Sequence, residues 1–365
     1  MILSRYIARR FLKSFVIVLL IFWSIIVMID TIEQLRRFSG DEFGTGRALH
    51  LAVMNAPASL YRILPLIMIL SAIALFLGLA RSSELVVIRA AGRSGLRFLV
   101  APLVVALGIG LLSVAVLNPL VAATQKEYDR LWAAASRGEE STLSVSENGL
   151  WLRQGSDDGQ TVIRAMRANT DGTELFQVTF VLFDAEGLPS SRIEAASALL
   201  LPGAWELQSA KRWDLASDNP ERSAVLLEDG AQLPSNLTRE GIRDSFGEPS
   251  AVPFWELPDY IAGLEKAGFS ARAHRLWFQM ELAQPLLLSA MVLVAAGFTM
   301  RHARFGGTGS LVLISVLCGF AIFFLRNFAQ VLGDNGQVPI ALAAWTPPLA
   351  AFLLALSLLL HLEDG

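Results

Sequence analysis

Few side chains in this 365-residue sequence are placed to do covalent or metal chemistry. Its four histidines, His50, His274, His302 and His361, are too scattered for a local motif such as H-E-x-x-H. The single cysteine, Cys318, sits in an apolar run, which excludes a disulfide framework or a cysteine-rich zinc module. Lys13, Lys126, Lys211 and Lys266 are the lysines, and none follows a glycine. A Walker A loop therefore cannot be written, and no G-x-S-x-G is present. The expectation is a chain that is no enzyme and binds no cofactor of its own. What remains is recognition by arginine, whose planar guanidinium pairs bidentately with phosphate and carboxylate.

Four arginines stand out. In Asp30-Thr31-Ile32-Glu33-Gln34-Leu35-Arg36-Arg37, the residues Asp30, Glu33, Gln34 and Arg37 fall near one helical face. Glu33 and Arg37 are in the favourable i,i+4 order. Such a face can line a water-filled cavity and offer cations to anionic groups, and plain anchoring at the membrane interface accounts for the same residues. Arg326 follows Phe323-Phe324-Leu325. An arginine at mid-bilayer costs about 2.5–3.5 kcal/mol, so it either snorkels to a nearby interface or faces a cavity. Arg130, in Tyr128-Asp129-Arg130, is expected at the same level. Arg36, Arg37, Arg130 and Arg326 together would form a ring of guanidinium groups. Glu281, in Met280-Glu281-Leu282-Ala283-Gln284-Pro285, needs a partner or water within an apolar run and reads as structural.

A second polar segment is Arg81-Ser82-Ser83-Glu84-Leu85-Val86-Val87-Ile88-Arg89-Ala90-Ala91-Gly92. Ser82 or Ser83 suits an N-cap, Glu84 the positive first turn and Gly92 the end of a two-turn helix over about 82–92. Leu85 and Ile88 would share a face, with Glu84 and Arg89 open to a partner. The helix either fits a groove of a separate ATPase or lies among lipid headgroups, held by its arginines.

The elements that must position these groups follow from composition. The chain is 53% hydrophobic and 17% charged, against about 45–50% and about 25% in soluble domains. Its net charge of −3 disfavours a general nucleic-acid binder. Six stretches approach the roughly 20 apolar residues that span a bilayer: Phe11 to Ile29, Leu60 to Ala80, Leu96 to Leu117, Leu276 to Met300, Ser310 to Leu325 and Ile340 to Leu360. The first is longer than a signal-peptide core and is followed by no A-x-A-like site, so it reads as an uncleaved helix. Arg5, Arg9, Arg10, Lys13, Arg81, Arg89, Arg93, Arg97, Arg301 and Arg304 fall on one side of a six-span topology. That side, with both termini, is expected to be cytoplasmic. The polar block between the spans would then be extracytoplasmic. It reads as β, with runs at Leu150–Arg153, Thr161–Arg167, Leu175–Phe183, Ser191–Leu200, Trp205–Asp214 and Ser223–Glu228 separated by turn residues. Pro258 to Gly268 reads as a short amphipathic helix. The expected fold is a membrane α-helical protein of six transmembrane helices, arranged 3+3, with an inserted periplasmic all-β, jelly-roll-like domain. Its parts would be a first membrane half over 1–135, the β domain over 140–257 and a second membrane half over 258–365.

These residues together resemble the lipopolysaccharide-export permeases, the LptF/LptG family, over nearly the whole chain. Ser4-Arg5-Tyr6-Ile7, Glu33-Gln34-Leu35-Arg36-Arg37 and the segment from Arg81 to Gly92 carry the likeness, with weaker support from Asn118-Pro119, Tyr128 and Gln284-Pro285-Leu286. The opening and the Gln-Leu-Arg-Arg run resemble the LptG branch more than LptF. The resemblance implies a Gram-negative inner-membrane heterodimer of two such permeases, LptF and LptG, on a dimer of the cytoplasmic ATPase LptB, which would use the ATP and Mg. It also implies lateral gates formed by the first and fifth helices, and a periplasmic bridge through LptC and LptA. Lipopolysaccharide would be contacted by Arg36 and Arg37, beside Glu33, and the ATPase by Glu84 with Leu85, Ile88, Arg89 and Gly92. Asp30 stands where some relatives carry a base, which shifts the anionic contact toward Arg130 or Arg326. Two other classes stay open at this point. One is an ABC-linked lipoprotein-release or mechanotransmission permease, which usually has four spans with the external domain after the first. The other is a non-transporting sensor or scaffold with a ligand-binding β domain.

Overall fold

A computed structural model describes residues 2–37, 44–82, 84, 95–136, 143–146, 149–156, 159–169, 172–184, 187–217, 219–235, 237–238, 249–266, 270–300 and 308–364. The chain divides into two compact units. One comprises Met1–Trp132, Ser250–Trp255 and Arg275–Gly365, and the other Ala133–Pro249 and Glu256–His274.

In the first unit, α1 (Ile2–Arg37) is a single helix containing neither proline nor glycine, the two residues that most readily break one. It buries only Ile7, Phe11, Phe15 and Gln34. The next two helices, α2 (Thr45–Arg62) and α3 (Leu64–Arg81), meet at Ile63. The expected span from Leu60 is therefore cut short. Pro65 lacks an N–H and suits the first turn of a new helix, so the apolar run is re-started there rather than continued from α2. The sequence reading left α2 within a loop, although Ala48, Leu51, Ala52 and Ala56 recur at helical spacing and are all buried.

The third apolar run is also longer than expected. Its first part is α4 (Gly95–Leu112), followed by a π-helical turn at Ser113–Leu117 and then α5 (Asn118–Ser136). Beyond the β region come α6 (Leu257–Lys266), α7 (Arg272–Thr299), α8 (Thr308–Asp334) and α9 (Ile340–Asp364). Six helical stretches among the described residues are long and apolar enough to cross a membrane, three before the strands and three after. Pro102, Pro285, Pro347 and Pro348 lie inside these helices. Apolar helices tolerate such breaks where neighbouring helices satisfy the freed carbonyls.

Burial ranks the helices. In the most apolar window of α7, 83% of residues are buried, against 6% in α1 and 17% in α8. The core is built by Ile67, Met68 and Leu75 of α3 with Leu287, Leu288 and Met291 of α7, to which α1 adds Phe11. Gly110 of α4 lies against Pro285 of α7 so closely that an added Cβ would stand 2.5 Å from the proline Cα. Small residues let apolar helices approach in this way where no hydrophobic force draws them together.

The second unit is a nine-stranded antiparallel sheet: β1 (Leu143–Ser146), β2 (Gly149–Ser156), β3 (Gly159–Ala168), β4 (Glu174–Phe183), β5 (Pro189–Leu201), β6 (Ala204–Gln208), β7 (Lys211–Asp214), β8 (Val225–Leu226) and β9 (Ala231–Pro234). From β1 to β6 each strand pairs with its successor in sequence, and β9 then adds beside β6. The run expected at Trp205–Asp214 as one strand is two. Ser209 has φ 49°, and this interruption divides the partner of the long β5 into β6 and β7. Gln177, at φ 52°, breaks the alternation of β4 in the same manner. Between β5 and β6, Pro202 followed by Gly203 at φ 86° fits a type II turn.

Leu150, Ile163, Phe180, Ile193 and Trp205 build the core of the sheet. Leu264 of α6 joins them, so this helix clusters with the β unit rather than with the following spans.

Candidate functional site

The Arg37 end of α1 is fixed by two buried or half-buried amides. Gln34, only 2% exposed, donates Nε2–H to the Tyr128 hydroxyl of α5 at 3.0 Å. Asn55 of α2 donates Nδ2–H to Asp30 Oδ2 at 2.7 Å. The acidic residue at this level is thus engaged by a neighbouring helix. Arg37 and Glu33 pair along α1 at 3.1 Å. Arg130 donates to Glu127 at 2.5 and 3.0 Å. Arg36, Arg37 and Arg130 are all exposed. The Gln34–Tyr128 bond brings the end of α1 to α5, two residues from Arg130. Asn55, Gln34 and Tyr128 hold this end together, yet as isolated amides and a phenol they carry no motif by which sequence could assign them that role.

Arg326 does not join them. It is 8% exposed, and its charge acts on Glu281 and Tyr61. The expected four-membered guanidinium ring is therefore three exposed arginines, with the fourth taken into the helical interior. There Tyr61 of α2 donates its hydroxyl to Glu281 Oε2 of α7. Asn118 of α5 acts on the same pair and accepts the Phe254 N–H through Oδ1 at 2.8 Å. Trp255 Nε1 donates to the Ala115 carbonyl within the π turn at 3.1 Å. An isolated carboxylate or guanidinium is expensive in an apolar core, and gathering both with a phenol and an amide lowers that cost. Glu281 and Arg326 are far apart in sequence, and only the packing of α7 against α8 makes them neighbours.

At the opposite end of α1, Glu84 is held by its own chain. Arg10 Nη1 donates to Glu84 Oε1 at 2.6 Å, Tyr6 donates to Oε2 at 3.0 Å, and Ser82 Oγ donates to Oε1 at 2.7 Å. The Arg10 guanidinium, followed by the Ser82 and Tyr6 hydroxyls, holds the Glu84 carboxyl below the usual carboxylate range against a small opposing effect of burial. The expectation that Glu84 is open to a partner is thus not met: Arg10, at helical distance from Tyr6 on α1, claims it first. Leu85, Ile88, Arg89 and Gly92 lie outside the described residues.

No group of three or more metal-ligating side chains occurs among the described residues. The arrangement is that of a multi-span membrane protein carrying an antiparallel β unit, with exposed arginines at one end of its first helix. The sequence matches the family described as "Lipopolysaccharide export system permease LptF/LptG" over residues 5–361. The chain belongs to that family. It is similar to the lipopolysaccharide export system permease protein LptG of Escherichia coli K12, with 25% identity over 363 residues, 99% of this chain and 98% of the relative. It is also similar to the protein of that name from Haemophilus influenzae, with 23% identity over 340 residues, 92% of this chain and 91% of the relative.

Proposed function

We propose that this chain is the LptG-type permease subunit of an ABC exporter. It takes lipopolysaccharide from the outer leaflet of the inner membrane and passes it to a periplasmic bridge. The observation that carries the reading is end-to-end likeness to relatives named as lipopolysaccharide export permeases, both membrane halves and the β region included. The physical arrangement supports it. A multi-acyl lipid with an anionic head needs apolar walls below and cations at the rim. The sides of α1 and α8 are largely uncovered apolar surface, and Arg36, Arg37 and Arg130 are exposed where α1 and α5 end.

In this reading both termini are cytoplasmic and the β unit is periplasmic. The six spans work as 3+3, and the sheet is the jelly-roll-type fold of the family's external domain. The uncovered α1 and α8 face the paralogous permease LptF and the lipid. The chain binds no cofactor, and ATP and Mg are used by an LptB dimer reached through the segment that contains Glu84. LptC and LptA continue the route beyond the β unit. Lipid A phosphates and core sugars meet Arg36 and Arg37, with Asp30 and Glu33 setting the local charge.

Intact-complex mass spectrometry after purification in mild detergent tests this. A small soluble ATPase, a second permease and a glycolipid are expected together. Arg36→Glu with Arg37→Glu is expected to cut lipid photo-crosslinking by about tenfold or more, since each basic group near an anionic lipid surface contributes about 1 kcal/mol. A chain that purifies alone, without ATPase or glycolipid, would end the proposal.

A further inference from the structure

Only the ends of α1 are held. Ile17, Leu20, Ile21, Ile25 and Met28 along its middle are all exposed, while Ile7, Phe11 and Phe15 bury one end and Gln34 the other. A helix free along its middle and without proline or glycine moves as a rod, and its position is set by whatever grips its termini. At the Tyr6 end the polar grip is Arg10. Its Nη1 bonds both Glu84 and, at 2.7 Å, Tyr6, and its guanidinium passes beside Gly78 in the last turn of α3. The unpaired carbonyls of that turn give it a partial negative charge that favours a cation there. Both oxygens of Glu84 are used within the chain.

We propose that Arg10, assisted by Tyr6, is the positioning residue through which displacement of the segment opened by Ser82 and Glu84 is transmitted to α1. This deepens the transporter reading and rests on it. Glu84 then serves by holding α1 rather than by touching the ATPase. Arg10 and Arg36 are separated by about 39 Å along one helix at 1.5 Å per residue. A push delivered at Glu84 therefore moves the arginine rim without any change in the packing of α3 or α7.

The test uses the full complex in lipid nanodiscs, on a Cys318→Ala background. Spin labels go on the exposed positions Ile32→Cys of α1 and Leu342→Cys of α9. In the parent, adding ATP is expected to shift the distance between labels, and lipid is released. Arg10→Gln is expected to keep the ATPase bound and hydrolysing, to abolish the shift and to cut lipid released per ATP by about fivefold or more. The exchanged pair Arg10→Glu with Glu84→Arg is expected to restore both readouts. A parent-like shift in Arg10→Gln, or an exchanged pair no better than Arg10→Gln, overturns the linkage. If either variant fails to fold by size exclusion, Tyr6→Phe and Arg10→Lys replace it, and parent-like release per ATP in both overturns it equally. A parent complex without ATPase or lipid counts instead against the transporter reading itself.

Discussion

Glu281 and Tyr61 show what one buried contact does for the helical unit. The carboxylate is 1% exposed and the phenol 8%, so neither can exchange its partner for water. Losing one partner of a buried pair costs more than losing both, because the remaining polar group keeps its desolvation penalty. Tyr61→Phe strands the carboxylate and is expected to destabilise the protein by about 1–3 kcal/mol. Glu281→Gln keeps an oxygen to accept the Tyr61 hydroxyl and removes the buried carboxylate, so its cost is expected to be smaller. Thermal unfolding of both variants in one detergent checks the order, and an equal or larger loss in Glu281→Gln would contradict it. The exposed pairs Arg37–Glu33 and Arg130–Glu127 are a different case. Surface ion pairs contribute little, so their arginines are free to serve recognition rather than stability.

At the scale of helices, close approach does the work that hydrophobic burial does in water. Gly110 is the tightest such point, because its obstacle is backbone: the Pro285 Cα at 2.5 Å from a built Cβ. Gly319 of α8 faces Ile69 at 2.7 Å, yet the atom met there is the Cδ1 tip of a flexible side chain. Gly110→Ala must part α4 from α7 and is expected to cost about 1–3 kcal/mol. Gly319→Ala asks only for a rotamer change and is expected to cost less. Midpoints of thermal unfolding for the two, with helical content by circular dichroism, decide the matter; equal losses would show that α4 and α7 are not pressed together at the proline. The π turn at Ser113–Leu117 begins three residues after Gly110, and its Ala115 carbonyl is taken by Trp255. A wide turn leaves a main-chain acceptor free for such use.

The whole molecule is two folding problems in one chain, with separate cores. The β unit is centred on Trp205, fully buried against Phe180 at 6.2 Å between ring centroids. Its indole Nε1 has no acceptor, so the ring serves by bulk. Trp205→Ala is expected to cost the β unit about 3–5 kcal/mol. Trp205→Phe, which also removes the stranded N–H, should cost distinctly less. Tryptophan-independent probes placed in each unit should show the Trp205→Ala loss in the β unit with the helical transition unmoved. A joint shift of both transitions would mean that the units unfold as one.

Much of this was legible in the residues alone. Long runs without charge demand helices in lipid, because a bare backbone in hydrocarbon must satisfy its own hydrogen bonds. The alternating runs between turn residues likewise demanded strands, and β3, β4 and β5 lie where they were expected. The exposed rim residues Arg36, Arg37 and Arg130 could be picked out because charge at the end of an apolar run is a local signal. The absence of a Walker A lysine and of an H-E-x-x-H pattern is equally local. What depended on distant partners was not legible. The helix α2 hid because its buried face is mostly alanine, whose weak periodic signal gains meaning only against α1. The split of Trp205–Asp214 came from one serine in a left-handed conformation, imposed by the length of β5. Arg326 went inward because Glu281 and Tyr61, from helices remote in sequence, gather beside it. Glu84 turned toward Arg10 for the same reason. Sequence by itself determined which segments must be helix or strand, since those are set by near neighbours and by the solvent each segment tolerates. Only tertiary structure decided which charges became partners, because a charge in an apolar medium takes the nearest group able to neutralise it, and folding alone sets which group is nearest.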